Sequence, residues 1–385
     1  MTEAISTPVA VDPPTTVGYR LAAVPGDGIG PEVLAAGVRV LEACGARFGF
    51  GVEWSELVVG GCAIDAFGVP IRDADLAVAA ASDAVYFGAI GGPRWSDPKA
   101  AVRPEQALFA LRGGLGLFAN LRPVTVEPAL TASSPLKPEL LDDVDLLIVR
   151  ELTGGIYFGR PSEQRVEADG RAAIDTLWYT EAEIRRVVTL AFELAQARRK
   201  RLASIDKANV LASSRLWRTI VDEVAPSFPE VAVEHRLVDA AAMVLVTRPS
   251  TFDVIVTENL FGDILSDEAS VLAGSLGMLP SASIGSRRTA HGLFGLYEPI
   301  HGSAPDIAGQ DTANPIGTIR SGAMLARWSL GRADVADAIE AAVSATVADG
   351  WRTPDLVATD TPTARVLGTR DMTERIIERL AGGPA

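Results

Sequence analysis

Apolar residues along this chain fall into two alternating kinds of run. Short β-forming runs at Leu21–Val24, Ala84–Phe87, Leu146–Val149 and Asp253–Val256 read as buried strands. Between them lie stretches with helical spacing. The plainest begins at Thr180, where Thr180 and Glu183 make a capping box and Ile184, Val187, Val188, Ala191 and Leu194 recur on one face. The cations Arg198–Arg201 end it, where a helix C-terminus favours positive charge. Ser214–Val224 reads as another helix. Strands alternating with helices predict an α/β fold, with any domain boundary inside a continuous layout.

Composition narrows the possibilities. A chain of 385 residues has room for two or three domains, and 48% apolar with 22% charged residues suits a globular core. The net charge of −14, without a dominant basic tract, argues against nucleic acid and against anionic membrane surfaces. Cys44 and Cys62 make neither a disulfide framework nor a metal knuckle, which suits a reducing compartment. Residues 1–17 contain no Lys or Arg and no continuous apolar core, unlike a secretory signal, and their prolines suggest a loose tail. With no apolar stretch of spanning length, a soluble cytoplasmic protein is expected.

Candidate chemistry lies in a few segments. In Phe252–Asp267 an apolar run leads into Asp263 and Asp267, four residues apart. With Asp263 starting a helix, the two carboxylates share a face, where they either hold a hard cation such as Mg²⁺ or Mn²⁺ or form an acidic first turn favoured by the helix dipole. Pro25–Glu32 has the spacing G-x-G-x-G, not G-x-G-x-x-G, so a tight strand-to-helix turn is favoured over a dinucleotide loop.

Arg112, Arg122 and Arg150 each sit in an apolar stretch and need an acidic partner. Internal salt bridges would serve, but three arginines together could also hold a dicarboxylic acid. Lys207 ends an apolar segment and could serve as a base if desolvated or set beside a cation. Asp239 opens a helix-like run as either an N-cap or a metal ligand. The Gly/Pro-rich Glu298–Gly309 segment would let a ligand approach the backbone.

Together these segments resemble the β-decarboxylating 2-hydroxyacid dehydrogenase family, to which isocitrate and isopropylmalate dehydrogenases belong. The resemblance runs from about Leu21 to about Leu380 with the motifs in the family's order. It implies a two-domain, non-Rossmann α/β fold with a mixed sheet across the domains. Residues 18–117 and 274–385 would form an NAD-binding domain, and 118–273 a second domain carrying the dimer interface. By the same resemblance Tyr157 and Lys207 are catalytic, and Arg112, Arg122, Arg150, Asp239 and Leu108 contact substrate. Asp239, Asp263 and Asp267 would bind Mg²⁺ or Mn²⁺. Glu298, His301, Gly302, Ser303, Ala304, Asp306, Ile307 and Asn314 would form the NAD pocket. The family's NADP users carry Lys-Tyr where this chain has Asp306-Ile307, so NAD is implied. Lys207 and Asp239 would enter the active site of a partner in a homodimer.

The implied activity is oxidation and decarboxylation of a small 2-hydroxy dicarboxylic acid. Leu108 and Phe109 lie on the helical face of Arg112, and an apolar face there suits an isopropyl group over isocitrate's third carboxylate. The expected substrate is therefore 3-isopropylmalate, with D-malate or tartrate as the alternative. Phe109 departs from the family's common Leu-Leu pair, and Glu258 stands where a small or amide residue is usual. A non-catalytic regulatory subunit on this fold would be expected to lose members of the Tyr157, Lys207, Asp239, Asp263 and Asp267 set, and all are present.

Overall fold

The computed structural model describes residues 17–97, 100–359 and 361–382. The tail expected over residues 1–17 lies outside them except for Val17, which already belongs to the first strand. The strands are β1 (Val17–Gly26), β2 (Phe50–Glu56), β3 (Ala84–Ala89), β4 (Leu117–Thr125), β5 (Asp145–Glu151), β6 (Ser162–Glu167), β7 (Gly170–Asp175), β8 (Arg201–Asp206), β9 (Ala232–Leu237), β10 (Val254–Thr257), β11 (Pro280–Arg288) and β12 (Leu293–Pro299). The helices are α1 (Gly30–Phe48), α2 (Gly61–Phe67), α3 (Asp73–Ala81), α4 (Glu105–Gly114), α5 (Glu181–Gln196), α6 (Ala212–Val224), α7 (Val238–Thr247), α8 (Asn259–Ser270), α9 (Ile316–Trp328), α10 (Ala333–Ala348) and α11 (Thr369–Gly382).

One ten-stranded sheet runs in the order β2-β1-β3-β12-β11-β4-β5-β10-β8-β9. Pairing is parallel toward both edges and antiparallel along β12–β11–β4–β5. The sheet is mixed, as expected, and its order is not that of a Rossmann sheet. Strands from residues 17–89 and 280–299 fill one half and strands from 117–257 the other, meeting at the β11–β4 ladder. Both faces are covered. Along β1, Tyr19, Leu21 and Ala23 enter one apolar cluster while Ala22 and Val24 enter a second. Helices α1, α9, α10 and α11 pack together over the first half, α5 and α6 over the second, and α7 against α8.

Local expectations fared unevenly. The capping box of α5 is present, with Thr180 N donating to Glu183 Oε2 at 2.8 Å and Glu183 N to Thr180 Oγ1 at 3.4 Å. The cationic cluster behind it does not serve that helix end. Arg198 and Arg199 lie beyond Gln196 and reach the fully buried carboxylate of Asp253 at 3.0 and 3.5 Å. A buried charge needs a partner more than helix carbonyls do, so Asp253 claims them.

The Pro25–Glu32 turn is structural. Asp27 is buried, and its carboxylate accepts from Gly61 N, Cys62 N and Gly91 N at 2.7, 2.8 and 2.8 Å. Gly28 has φ +58°, and a Cβ there would fall 2.0 Å from the Ser303 carbonyl oxygen. The glycines serve a close crossing of two loops.

Candidate active site

Helix α8 begins earlier than expected. Its first residue is Asn259, and Glu258 caps it by accepting from Leu260 N at 3.1 Å and Phe261 N at 2.7 Å. Asp263 therefore does not start the helix. It and Asp267 lie in later turns, beyond the reach of the helix N-terminus, which removes the dipole account of the pair. Asn259, Asp263, Ser266 and Asp267 fall on one side of α8 at helical spacing.

That side meets two arginines on one face of the sheet. In the β4–β5 ladder Asn120 lies opposite Arg150, and Arg122 is two residues from Asn120, so all three point the same way. Arg122 donates through Nε to Asn120 Oδ1 at 2.7 Å, and through Nη1 to Ser266 Oγ at 2.6 Å and Asp267 Oδ1 at 3.2 Å. Arg150 donates to Asp263 Oδ1 and to Asn259 Oδ1. A third arginine, Arg112 on α4, reaches Glu298 Oε1 at 3.2 Å while its buried Nε has no partner. All three are buried, and each has an internal carboxylate in the isolated chain. Burial lowers the pKa of Arg150 to about 10 and lowers that of Arg122 as well.

Tyr157 stands beside this cluster. Its hydroxyl donates to Asp263 Oδ2 at 2.9 Å. Burial, followed by the charge of Asp263, pushes the phenol's pKa up to about 12, so it is protonated at neutral pH.

Lys207 and Asp239 lie elsewhere. Lys207, just past β8, donates to Asp239 Oδ1 at 2.5 Å. No hydrogen bond or ion pair joins either residue to Tyr157, Asp263 or Asp267 among the described residues. Asp239 is the second residue of α7 and makes no capping bond, because Leu237 holds the cap position. No group of three metal-ligating side chains converges among the described residues. The two aspartates of α8 supply oxygen donors on one side, with Asp267 66% exposed at its side chain.

Four of the eight residues expected around a dinucleotide, His301, Ala304, Ile307 and Asn314, line a second feature. A cleft of about 410 Å³ is bounded by Ile29, Ser275, His301, Ala304, Ile307 and Asn314, among others. His301 Nδ1 donates to Gly302 O at 2.9 Å, which leaves Nε2 as an acceptor, buried and without a partner. Burial lowers the His301 pKa, favouring the neutral ring. Thr312 Oγ1, in the same wall, is also unpartnered. Asn314 donates to Asp355 Oδ2 at 3.0 Å, and Ser275 donates to the same oxygen at 2.5 Å. Ser303 is buried with its carbonyl bonded to Ile29 N, while Gly302 and Asp306 are exposed. Glu298 faces Arg112 and does not line this cleft.

Leu108 is half-buried on α4. Phe109 is 43% exposed and packs edge-on against Phe158, with ring centroids 5.6 Å apart. Sequence reasoning missed Asn120, Asn259, Ser266, Ser275 and Asp355. Asn259 and Ser266 were within reach, since they share the 3.6-residue face of Asp263 and Asp267. Asp355 joins the cleft from far along the chain and left no local signal.

A sequence model of the isocitrate/isopropylmalate dehydrogenase family matches residues 20–376. The 3-isopropylmalate dehydrogenase of Anaeromyxobacter dehalogenans is 56% identical over 362 residues, covering 94% of this chain and 99% of the relative. That of Heyndrickxia coagulans is 52% identical, covering 95% and 98%. Among solved structures, isocitrate dehydrogenase from Methylococcus capsulatus superposes with a TM-score of 0.81 at 37% identity, covering 94% of this chain and 99% of that one.

Proposed function

The chain belongs to the isocitrate/isopropylmalate dehydrogenase family, and from that premise we propose that it oxidises and decarboxylates (2R,3S)-3-isopropylmalate to 4-methyl-2-oxopentanoate with NAD⁺, a step of leucine biosynthesis. The observation that carries the substrate class is the convergence of buried arginines on one acidic helix face. A dicarboxylic acid can take over guanidinium contacts that internal carboxylates hold in the free chain. The half-buried Leu108 offers an isopropyl branch an apolar seat and leaves a third carboxylate without a partner. The named relatives point to the same acid.

Arg112, Arg122 and Arg150 hold the substrate's carboxylates. Tyr157, kept protonated beside Asp263, delivers a proton to the decarboxylated carbon skeleton. Lys207 accepts the proton of the substrate hydroxyl. Asp263 and Asp267, with Asp239, offer a donor set of hard oxygens that fits Mg²⁺ or Mn²⁺, which when bound supplies Lewis-acid stabilisation of charge on substrate oxygens. His301, Gly302, Ser303, Ala304, Asp306, Ile307 and Asn314 would hold NAD⁺, which when bound would supply a hydride acceptor, and the unpartnered His301 Nε2 supports that fit. Glu298, which pairs with Arg112, would complete the NAD⁺ pocket.

We place Lys207 and Asp239 in the active site of a partner chain. Two features support a homodimer. The β6–β7 hairpin is exposed almost throughout, and a lone two-stranded hairpin is marginal in water. Met243 on α7, Ile264 on α8 and Val210 are 64%, 58% and 62% exposed, large apolar side chains that a second copy would cover. The proposed domain division, 18–117 with 274–385 against 118–273, follows the β11–β4 ladder. No helix among the described residues is long and apolar enough to cross a membrane. A cytoplasmic location is proposed.

Phe109, in place of the family's common leucine, is the observation that favours a second reading, a D-malate- or tartrate-oxidising enzyme. A steady-state assay with NAD⁺ and Mn²⁺ against 3-isopropylmalate, D-malate, tartrate and isocitrate separates them. Preference for 3-isopropylmalate is expected. Turnover of isocitrate alone would overturn the substrate, and turnover of none would revive a non-catalytic role.

A further inference from the structure

We propose that Asn259 is a positioning residue that acts through Arg150, fixing the guanidinium before the substrate arrives. The proposal deepens the functional reading above and rests on it.

Asn259 is buried at the start of α8. Its Oδ1 accepts two bonds from Arg150, from Nε at 3.0 Å and from Nη2 at 2.8 Å. A guanidinium held along that edge cannot turn about its own plane, and its remaining Nη1 points at Asp263. The amide is itself locked. Its Nδ2 donates to Gly154 O at 3.1 Å, which decides which end of the amide faces Arg150.

The anchor is rigid in turn. Asn259 N donates to the Tyr179 hydroxyl at 3.0 Å, and that hydroxyl donates to Glu151 Oε2 at 3.1 Å. The same buried carboxylate accepts from Gly154 N at 2.8 Å. A closed circuit of bonds therefore returns to the residue beside Arg150 on β5. Gly154 packs close against Tyr179, since a Cβ on it would lie 2.5 Å from the ring, so only glycine fits at this point of the circuit. Arg122 is held differently, by one Asn120 bond to Nε at 2.7 Å and by Ser266 and Asp267 on Nη1. In Arg150 a single buried amide grips a whole edge of the guanidinium. A bidentate contact to a carboxylate depends on direction, so this clamp sets affinity and alignment together.

The test compares wild type, Asn259→Ala, Arg150→Lys and the double variant in steady-state kinetics with 3-isopropylmalate. Asn259→Ala should lower kcat/KM for the acid about 100-fold, as expected when a reacting group is misplaced by about 1 Å, while KM for NAD⁺ stays within about twofold. The double variant should be no worse than Arg150→Lys, since Asn259 acts through that side chain. A single variant within about threefold of wild type, or losses that multiply in the double variant, would overturn the proposal. Tyr179→Phe keeps both Arg150 bonds and should stay within about fivefold; a loss equal to that of Asn259→Ala would assign the effect to general packing and overturn it too. Calorimetric binding of D-malate without NAD⁺ reads the clamp apart from turnover. Asn259→Ala should weaken it about tenfold, and unchanged affinity would count against the clamp. Absence of turnover in wild type with every acid would instead indict the functional reading, with the binding arm still deciding on Asn259.

Discussion

Arg150 and Lys207 are both cations at the C-terminal ends of β5 and β8, the parallel strands on either side of β10, and the fold treats them in opposite ways. Arg150 is 4% exposed, clamped by Asn259 and paired with Asp263. Lys207 has a 26% exposed side chain and a single charged partner, Asp239, which is 61% exposed. The first region is finished within one chain: its arginines, its aspartates and Tyr157 already touch. The second is a pair, Lys207 and Asp239, with no hydrogen bond or ion pair to Tyr157, Asp263 or Asp267 among the described residues. Under the proposed homodimer, the surface pair of one copy would complete the organised cluster of the other.

The sharpest way to break this contrast is Lys207→Met. If Lys207 supplies base catalysis, turnover should fall about 10²- to 10⁴-fold while calorimetry still detects acid and NAD⁺ binding. Near-normal turnover would refute the role. Next is Met243→Glu, at one of the exposed apolar side chains. It should shift the protein to monomer in sedimentation and lower specific activity at least about tenfold, with the α8 cluster intact. A dimer of full activity would separate the surface from function.

A subtler probe mixes two inactive variants, Lys207→Met and Asp263→Asn, after co-refolding. If each Lys207 serves the partner's site, half of the dimers are mixed and each holds one intact site, so activity should return to about a quarter of wild type. No recovery would mean that Lys207 serves its own chain.

The smallest effect concerns Glu258, at the start of the finished region. Burial, with a further push from Glu151, raises its carboxyl pKa in the folded chain. As pH rises through the ordinary glutamate range the unfolded chain loses this proton first, so the group's contribution to stability falls with rising pH until the folded pKa is passed. Glu258→Gln keeps a capping oxygen and removes the titration. Its Tm relative to wild type, by calorimetry, should therefore grow more favourable between pH 4 and pH 7. A constant offset would show that the carboxyl does not titrate differently in the fold.

How far the sequence could be read follows the same contrast. The alternating runs identified the α/β class, the strand cores and the capping box of α5, because these depend on residues a few positions apart. Arg112, Arg122 and Arg150 were legible as a set because a buried guanidinium must be answered. Their orientation was not, since Asn120, Asn259 and Ser266 enter through strand register and helix phase. The start of α8 was misplaced because Glu258 is an uncommon cap, and its long side chain still reaches two backbone donors. Arg198 and Arg199 were assigned to a helix end because Asp253 lies far along the chain.

The two ends of the described chain also meet at one corner. Val17 pairs with Phe50 at the start of the sheet, and Arg47, three residues before Phe50, donates to the Leu380 carbonyl. Arg39 and Glu374 join the same two helices. In polymer terms residues 17–382 come close to closing a ring. A short linker from residue 382 to residue 17, with new ends at the exposed Asp142–Asp143 turn, would leave every ladder of the sheet in place. Such a permutant should keep its circular dichroism spectrum, so the order in which this chain is read need not be the order in which it folds.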